Sequence, residues 1–327
     1  MRVLLVGGGG LLGAHLAPKL VAAGHEVAIC DTLSGCIGPR TTSGFRVFVA
    51  NATDRNALLQ PFGAYDPEII FISLAHHYNR TTIYKAFDDA RLVLNSANAI
   101  TSIIGKSVKH VYFCSTSEVY GGPQTKRPIK ESRKIALGAT THGVAKLSAE
   151  KIIEFKCQEM GIGCTTFRIF DMFGPRVVFC ARTGITSFLI DAFLRNEVVG
   201  LVGGKKLRDF IHAEDVAEAC AQVMATGFSG TVNVGSGVGM SLVDIVKAAS
   251  KKMKIHEFPV FIPRGRNEVF SAVADTSLLK SIIPGWKPSN EIVKELPTLI
   301  EFRSQELSRP RGEEAPNPNT VRGSLSV

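Results

Sequence analysis

His142 and Lys146 stand four residues apart in a stretch, residues 139–157, that reads as a helix carrying Glu150 as well. Four apart on a helix is one face, so an imidazole and an ammonium are neighbours there. With an ordinary pKa of about 6.5, an imidazole does acid–base work near neutrality, and a nearby cation favours its neutral, proton-accepting form. A second set, Ser115-Thr116-Ser117-Glu118, follows the apolar run His110-Val111-Tyr112-Phe113-Cys114. These hydroxyls and the carboxylate either polarise a ligand oxygen or bond the backbone of a turn. A third set, Ser73-Leu74-Ala75-His76-His77-Tyr78, follows the apolar run Ile69-Ile70-Phe71-Ile72. Its paired histidines face either a ligand or solvent. All three sets share one logic, because ligands gather at the carboxyl ends of strands in open α/β sheets.

The frame for such chemistry begins at the N-terminus. Arg2-Val3-Leu4-Leu5-Val6 is a short apolar run, Gly7-Gly8-Gly9-Gly10 follow, and then Leu11-Leu12-Gly13. Eighteen residues after Gly13, the run Val27-Ala28-Ile29-Cys30 ends in Asp31. Strand, glycine turn, amphipathic helix (Leu11, Leu12, Leu16, Leu20, Val21), strand and acid make a dinucleotide site, here with G-x-x-G-x-x-G spacing. Gly7 permits the sharp turn out of the strand, Gly10 lets backbone N–H groups approach a pyrophosphate, and Gly13 lets the helix pack close to the sheet. The helix N-terminus turns its partial positive charge to the phosphates. Asp31 accepts both hydroxyls of an adenosine ribose and repels a 2′-phosphate, so the expected cofactor is NAD rather than NADP.

Further along, residues 45–49 read as a third strand. Asp54 after it either approaches an adenine amino group or N-caps a helix over 55–59. A long helix over 87–104 carries Asn95, and residues 165–170 form another strand. Strands alternating with helices imply a parallel sheet, hence an α/β, Rossmann-type doubly wound fold. From about Gly174 the pattern loosens, with Pro175, Gly203-Gly204, Pro259, Pro263 and Pro284 between shorter elements. The expected organisation is a dinucleotide-binding domain over 1–173, with later segments returning to it. A smaller, discontinuous substrate lobe covers 174–305, with helices at 242–252 and 291–302. A disordered tail over 306–327 follows.

Composition narrows the class. Apolar content of 45% with 20% charged residues is that of a soluble globular chain, and 38 Lys+Arg against 29 Asp+Glu leaves +9, which favours anionic ligands. No basic run is interleaved with aromatics, so nucleic acid is not expected as a partner. The cysteines (30, 36, 114, 157, 164, 180, 220) form no C-x-x-C, as expected of reduced thiols in a cytoplasmic protein. No leader peptide, membrane span or metal-ligand cluster is read from the sequence.

Taken in order, the motifs resemble the extended short-chain dehydrogenase/reductases, in their NAD-dependent nucleotide-sugar epimerase/dehydratase branch. The likeness runs from residue 1 to about Pro288. It is carried by Gly7 through Gly13, Asp31-Thr32-Leu33-Ser34-Gly35, Ser115-Thr116-Ser117-Glu118-Val119-Tyr120-Gly121 and Arg168-Ile169-Phe170-Asp171-Met172-Phe173-Gly174-Pro175-Arg176. Arg208-Asp209-Phe210-Ile211-His212, Asp215-Val216-Ala217, Asn233-Val234-Gly235-Ser236-Gly237 and Gly285-Trp286-Lys287-Pro288 complete it.

The resemblance implies a bound NAD that takes a hydride from a sugar carbon and returns it. It implies cofactor contacts at Gly7, Gly10, Leu11, Leu12, Gly13, Asp31 and Asp54, and also at Leu74, Ala75, Asn95 and Lys146. It further implies substrate contacts at His76, Asp171, Arg208 and Arg266, and a homodimer formed through the helices at 87–104 and 139–157. Thr116 matches the hydroxyl that bonds the reacting oxygen, and Lys146 the lysine of Y-x-x-x-K.

Two positions depart from the pattern. His142 stands where the family has its tyrosine, and imidazole is about 2 Å shorter than phenol, so reach decides its role. Three readings follow: His142 is the base; Glu118, His76, His77 or Tyr78 has taken over; or the fold binds NAD without redox chemistry. Asp171 stands where asparagine is usual, so it either pairs with a cation such as Arg176 or the substrate is presented differently. The Thr-Ser-Glu order resembles nucleotide-sugar decarboxylases, and Ser117 argues against dehydratases. The expected activity is an epimerase-like one, with Thr116, Glu118, His142 and Lys146 as the catalytic set. A decarboxylase or ketoreductase, and a silent NAD-binding scaffold, are the alternatives.

Overall fold

The computed structural model describes residues 1–33, 42–74, 83–121, 127–135, 140–175, 184–195, 197, 201–202, 206–254, 261–262 and 271–308. The first half alternates strands and helices: β1 (Arg2–Val6), α1 (Leu11–Ala22), β2 (Glu26–Asp31), β3 (Arg46–Val49), α2 (Arg55–Tyr65), β4 (Ile69–Ile72), α3 (Ile83–Thr101), β5 (His110–Thr116), α4 (Thr141–Met160) and β6 (Gly163–Ile169). The second half holds shorter pieces: β7 (Asp171–Phe173), α5 (Gly184–Leu194), β8 (Leu201–Val202), β9 (Leu207–His212), α6 (Ala213–Thr226), β10 (Gly230–Val234), β11 (Gly239–Ser241), α7 (Leu242–Met253), β12 (Phe261–Ile262), β13 (Ser271–Ala272), α8 (Ser277–Ile282) and α9 (Ile292–Ser308).

Seven parallel strands form the central sheet in the order β10-β6-β5-β4-β1-β2-β3. Its central strands, such as Val3-Leu4-Leu5-Val6 and Ile69-Ile70-Phe71-Ile72, are buried on both faces, which is why they read as continuous apolar runs. Leu12, Leu16 and Leu20 of α1 join Val216, Cys220 and Val223 of α6 and Leu279 of α8 on one face. Leu58 and Phe62 of α2, Val93 and Ala97 of α3 and Ala145, Ala149 and Ile153 of α4 cover the other. The chain therefore comes back to the sheet after the first domain's expected end, through α6, β10 and α8. The strand order reverses between β1 and β4, and the crevice at that reversal is where an open α/β sheet accepts a ligand.

A second, smaller core joins Phe173, Leu189, Phe210, Ile245, Val246 and Leu296. It packs α5, α7 and α9 against a small sheet of β7, β9, β11 and β13. Inside it, Arg303 donates from Nε to Asp191 Oδ1 at 2.7 Å, so α9 is fastened to α5 by a buried ion pair.

Several boundaries differ from those the sequence led us to expect. The helix after Asp54 runs on to Tyr65, because Phe62 and Tyr65 are also buried. The helix expected over 87–104 is Ile83–Thr101. The hydroxyls of Thr101 and Ser102 bond the carbonyls of Ala97 and Ala99 at 2.7 Å each, and Ile103 and Ile104 leave the helix. β5 extends past Cys114, since Ser115 and Thr116 pair with Arg168 and Ile169 of β6. α4 starts at Thr141 because Thr140 caps it, its hydroxyl accepting from Gly143 N at 3.0 Å. Residues 306–308, expected in a disordered tail, form the end of α9, where Ser308 Oγ donates to Ser304 O at 2.8 Å.

One half-buried group makes the fold pH-sensitive. His110 stacks on Tyr112 with ring centroids 4.1 Å apart, and its Nε2 lies 2.8 Å from Thr165 Oγ1. Burial pushes its pKa down to about 4. An unfolded histidine titrates near 6.5, so the unfolded chain takes up a proton first as pH falls. The stability this residue contributes is therefore whole above about 6.5 and lost progressively toward about 4. The thermal midpoint should fall across that window, and His110→Gln should flatten the fall; parallel curves for the two proteins would refute the assignment.

Candidate active site

The glycine turn is built by exclusion. Gly7 has φ +77°, and a Cβ on it would lie 2.7 Å from Ser73 O at the end of β4. A Cβ on Gly8 would lie 2.7 Å from the Leu5 side chain, and one on Gly13 would lie 2.0 Å from Gly8 O. Gly13 is thus required by the turn's own backbone rather than by the sheet, and Gly8, which the spacing did not single out, is as constrained as the others. Gly10 is different: a Cβ there meets only Gly7 O, at an ordinary 3.5 Å.

The N-cap Gly10 brings no side chain to the start of α1, whose first turn holds no acid. By helical geometry the N–H groups of Leu11, Leu12 and Gly13 have no partner within the helix, and they mark an anion site. Asp31 is fixed beside them, its Oδ2 accepting from Gly9 N at 3.1 Å and its Oδ1 from Leu33 N at 2.9 Å. A carboxylate has roughly four lone-pair positions, so both oxygens keep acceptor capacity. Asp54 N-caps α2, accepting from Asn56 N at 2.9 Å, which is the second of the two roles its position allowed. Asn95 is exposed on α3, away from Val93, Ser96 and Ala97, which are buried.

Lys146 is buried at the carboxyl ends of two central strands. Its Nζ donates to Leu74 O after β4 at 2.7 Å and to Cys114 O in β5 at 2.8 Å, and lies 4.9 Å from the Phe113 ring centre. Burial pushes its pKa down, against the attraction of Cys114, Asp89 and Glu150. An ammonium has three donors, so one remains for a ligand.

The helix that carries Lys146 is locked one turn further on. Arg168 of β6 grips Glu150 from Nε at 3.1 Å and from Nη2 at 2.7 Å, and its guanidinium lies over the Tyr120 ring at 4.9 Å. Tyr120 in turn donates to Asn233 Oδ1 of β10 at 2.6 Å. Sequence reasoning noted Glu150 only as a helix residue; its partner is far along the chain and no spacing rule connects them.

Thr116 ends β5 and caps a single 3-10 turn, Ser117–Tyr120, its Oγ1 accepting from Glu118 N at 3.3 Å. The hydroxyl proton stays free to donate. Glu118 accepts from the Thr140 hydroxyl at the start of α4. A Cβ on Gly143 would sit 2.6 Å from Glu118 O, so glycine there lets α4 begin against this turn. The structure therefore brings Thr116, Glu118, His142 and Lys146 into one neighbourhood. His142 has a partner that sequence reasoning missed: its Nδ1 lies 2.6 Å from Oδ2 of Asp89, a buried carboxylate on α3.

Asp171 pairs with a cation, the first of the two alternatives its position allowed. Its cation is Arg208, with Nε to Oδ2 at 2.9 Å, because β7 and β9 run side by side with Asp171 opposite Phe210. Burial, with Glu118 and Asp209 nearby, pushes the Asp171 pKa up, and Arg208 pulls it down. Ala75, His76, His77, Tyr78, Arg176 and Arg266 lie outside the described residues.

Other motif acids hold loops. Asp209 accepts from Ser236 N at 2.7 Å, Gly237 N at 2.9 Å and Ala274 N at 3.0 Å. Asp215 accepts from Ser289 N and Asn290 N at 3.0 Å each. Among the described residues no cluster of His, Cys, Asp and Glu could hold a metal, and no helix is long and apolar enough to cross a membrane.

The profile of the NAD dependent epimerase/dehydratase family matches residues 3–235, a span that includes the glycine turn, the ends of β4 and β5, and α4. The chain belongs to this family. It is 23% identical to a putative UDP-glucose 4-epimerase of Methanocaldococcus jannaschii, over 92% of this chain and 97% of that protein. It is 26% identical to a UDP-N-acetyl-alpha-D-glucosaminuronate decarboxylase of Bacillus cytotoxicus, over 86% of this chain and 91% of that protein. Among solved structures, the UDP-glucose 4-epimerase of Thermotoga maritima with UDP-glucose superposes with a TM-score of 0.84 at 25% identity, covering 94% of this chain and all (100%) of that one. The Thermus thermophilus UDP-glucose 4-epimerase, in complex with NAD, has a TM-score of 0.81 at 22% identity, covering 93% and 99%; at that identity it shows the fold. An epimerase/dehydratase fold of this kind is NAD dependent, and NAD is the cofactor. The residues present fit it. The protein itself leaves room at Gly10, α1 has an uncapped N-terminus, and Asp31 has acceptors to spare.

Proposed function

We propose that this chain is an NAD-dependent nucleotide-sugar epimerase in which His142 does the acid–base work usually given to a tyrosine. The observation that carries it is the fixed ammonium of Lys146 at the ends of β4 and β5, one helical turn from an imidazole whose Nδ1 is engaged and whose Nε2 is left for a proton. The relatives named as acting on UDP-sugars support the substrate class.

Bound NAD supplies a reversible acceptor for a hydride from a sugar carbon. Lys146, with its third donor, orients the nicotinamide ribose. Thr116 donates its hydroxyl proton to the reacting sugar oxygen. His142 takes the proton of that sugar hydroxyl at Nε2 and returns it when the carbon is reduced again. Arg208 keeps four further N–H donors beside the one given to Asp171, enough for a diphosphate oxygen. His76 and Arg266 complete the substrate set, and Leu74, Ala75 and Asn95 the cofactor set.

The test uses the purified chain with bound NAD and a panel of UDP-glucose, UDP-galactose, UDP-N-acetylglucosamine and UDP-glucuronate. Reduced-nicotinamide absorbance follows oxidation, and NMR identifies the product, an epimer rather than a pentose from loss of carbon dioxide. His142→Ala should lower kcat by about 10²–10³, the range of general acid–base catalysis. Equal turnover by wild type and His142→Ala rules out His142 as the base.

The active unit in this reading is a homodimer through α3 and α4. Phe87 and Phe155 on these helices keep 57% and 70% of their surface exposed, apolar surface that such an interface would cover. Phe155→Glu should halve the mass seen by analytical ultracentrifugation; an unchanged mass removes this face from the interface.

A further inference from the structure

From the contact between α3 and α4 we infer that Asp89 is the positioning residue of His142: it sets the imidazole tautomer and aims Nε2 at the substrate. The inference rests on the acid–base role proposed for His142 and adds to it a residue that neither the glycine motif nor the resemblance marks.

The geometry carries it. His142 Nδ1 and Asp89 Oδ2 are 2.6 Å apart, a short, charge-assisted contact. A carboxylate only accepts, so the ring hydrogen is on Nδ1 and the lone pair of the neutral imidazole is on Nε2. The accessible part of the pair is the imidazole, with 28% of its side chain exposed against 2% for Asp89. A base oriented by a buried carboxylate on its far nitrogen is the arrangement that gives histidine one defined tautomer in hydrolytic triads.

A purely structural role explains less. Joining two helices through a buried carboxylate is costly, and apolar side chains of similar volume do it at least as well. Here the second oxygen, Asp89 Oδ1, is buried with no hydrogen-bond partner among the described residues. The surrounding contact is already apolar: Val93 and Ala97 of α3 and Ala145 and Ala149 of α4 belong to the same buried cluster. Lys146, the cation near Asp89, gives its two hydrogen bonds to carbonyls rather than to this carboxylate. Asp89 therefore has one committed partner, and it is the imidazole at the tyrosine position.

The experiment has two arms. The first needs no substrate: the nitrogen chemical shifts of His142 are measured in the holoprotein at a pH where the ring is neutral, the signal being assigned by its loss in His142→Gln. Wild type should show the Nδ1–H tautomer, and Asp89→Asn a mixture, because an amide both donates and accepts. The second arm compares Asp89→Asn and Asp89→Leu on the UDP-sugar that turns over. Both should lose about 10²-fold in kcat with KM within about threefold, and Asp89→Leu should unfold at or above the wild-type temperature. An Nε2–H tautomer in wild type overturns the proposal whatever the kinetics, as does a kcat for either variant within twofold of wild type. Should His142→Ala itself turn over normally, the acid–base reading falls and this one with it, whereas an Nε2–H tautomer together with a loss of about 10²–10³ in His142→Ala removes only the role of Asp89 and the choice of Nε2, and leaves His142 as the acid–base group.

Discussion

Lys146→Met should lower kcat/KM for the UDP-sugar by about 10⁴. Two losses combine in that figure. The ammonium's remaining donor is the one left for the nicotinamide ribose, and a hydrogen bond from a charged group contributes about 1.5–3 kcal/mol, or one to two powers of ten. The cation also faces the negative charge that develops on the reacting sugar oxygen, and electrostatic stabilisation of that kind contributes about 10²–10³. The fold should tolerate the change. Methionine matches the lysine stem in length, and removing the ammonium also removes a buried charge, whose desolvation offsets part of the damage at the Leu74 and Cys114 carbonyls. Thermal unfolding then separates chemistry from collapse: a shift of a few degrees with a 10⁴ loss supports the role. Near-normal turnover means that the ammonium only ties β4 to β5.

The frame around Lys146 was legible in the sequence because each of its parts is local. Continuous apolar runs mark strands buried on both faces, glycines mark the turn, and alternation with helices marks the parallel sheet. Some boundaries moved where a short-range competitor was overlooked, as with the hydroxyls that end α3 or the Thr140 cap of α4, and others where burial or strand pairing carried an element further, as with α2 and β5. The contents of the site were less legible, for a different reason. Asp89 and His142 lie 53 residues apart, and Asp171 and Arg208 meet only because two short strands pair. No periodicity encodes such meetings. Motif membership also misleads about role. Asp209 and Asp215 belong to stretches that carry the family likeness, yet each spends its carboxylate on backbone N–H groups of a loop. Such acids look functional in a sequence because a loop that must be held in place is as restrictive about its residue as a reacting substrate is.

The glycine turn allows the sharpest separation of fold from ligand, since two of its glycines are empty for opposite reasons. Gly13→Ala drives a methyl group to 2.0 Å from Gly8 O, where no rotamer gives relief because the obstacle is backbone. Overpacking typically costs about 1–3 kcal/mol, and a clash this close belongs at or above the upper end. Gly13→Ala should therefore unfold at least ten degrees below wild type and retain no NAD on purification. Gly10→Ala meets nothing nearer than 3.5 Å. Its backbone at φ −75° suits any residue, and alanine replaces glycine as an N-cap at a cost of only about 1 kcal/mol or less. The protein alone thus gives no reason for glycine there, and the reason must be what binds. Gly10→Ala should fold nearly as wild type while its affinity for NAD, measured by calorimetry on stripped protein, falls about 10²-fold through the methyl group held against the pyrophosphate. If Gly10→Ala keeps full affinity, the phosphates do not rest on this turn, and the α1 N-terminus loses its assigned ligand even though the family and the fold remain.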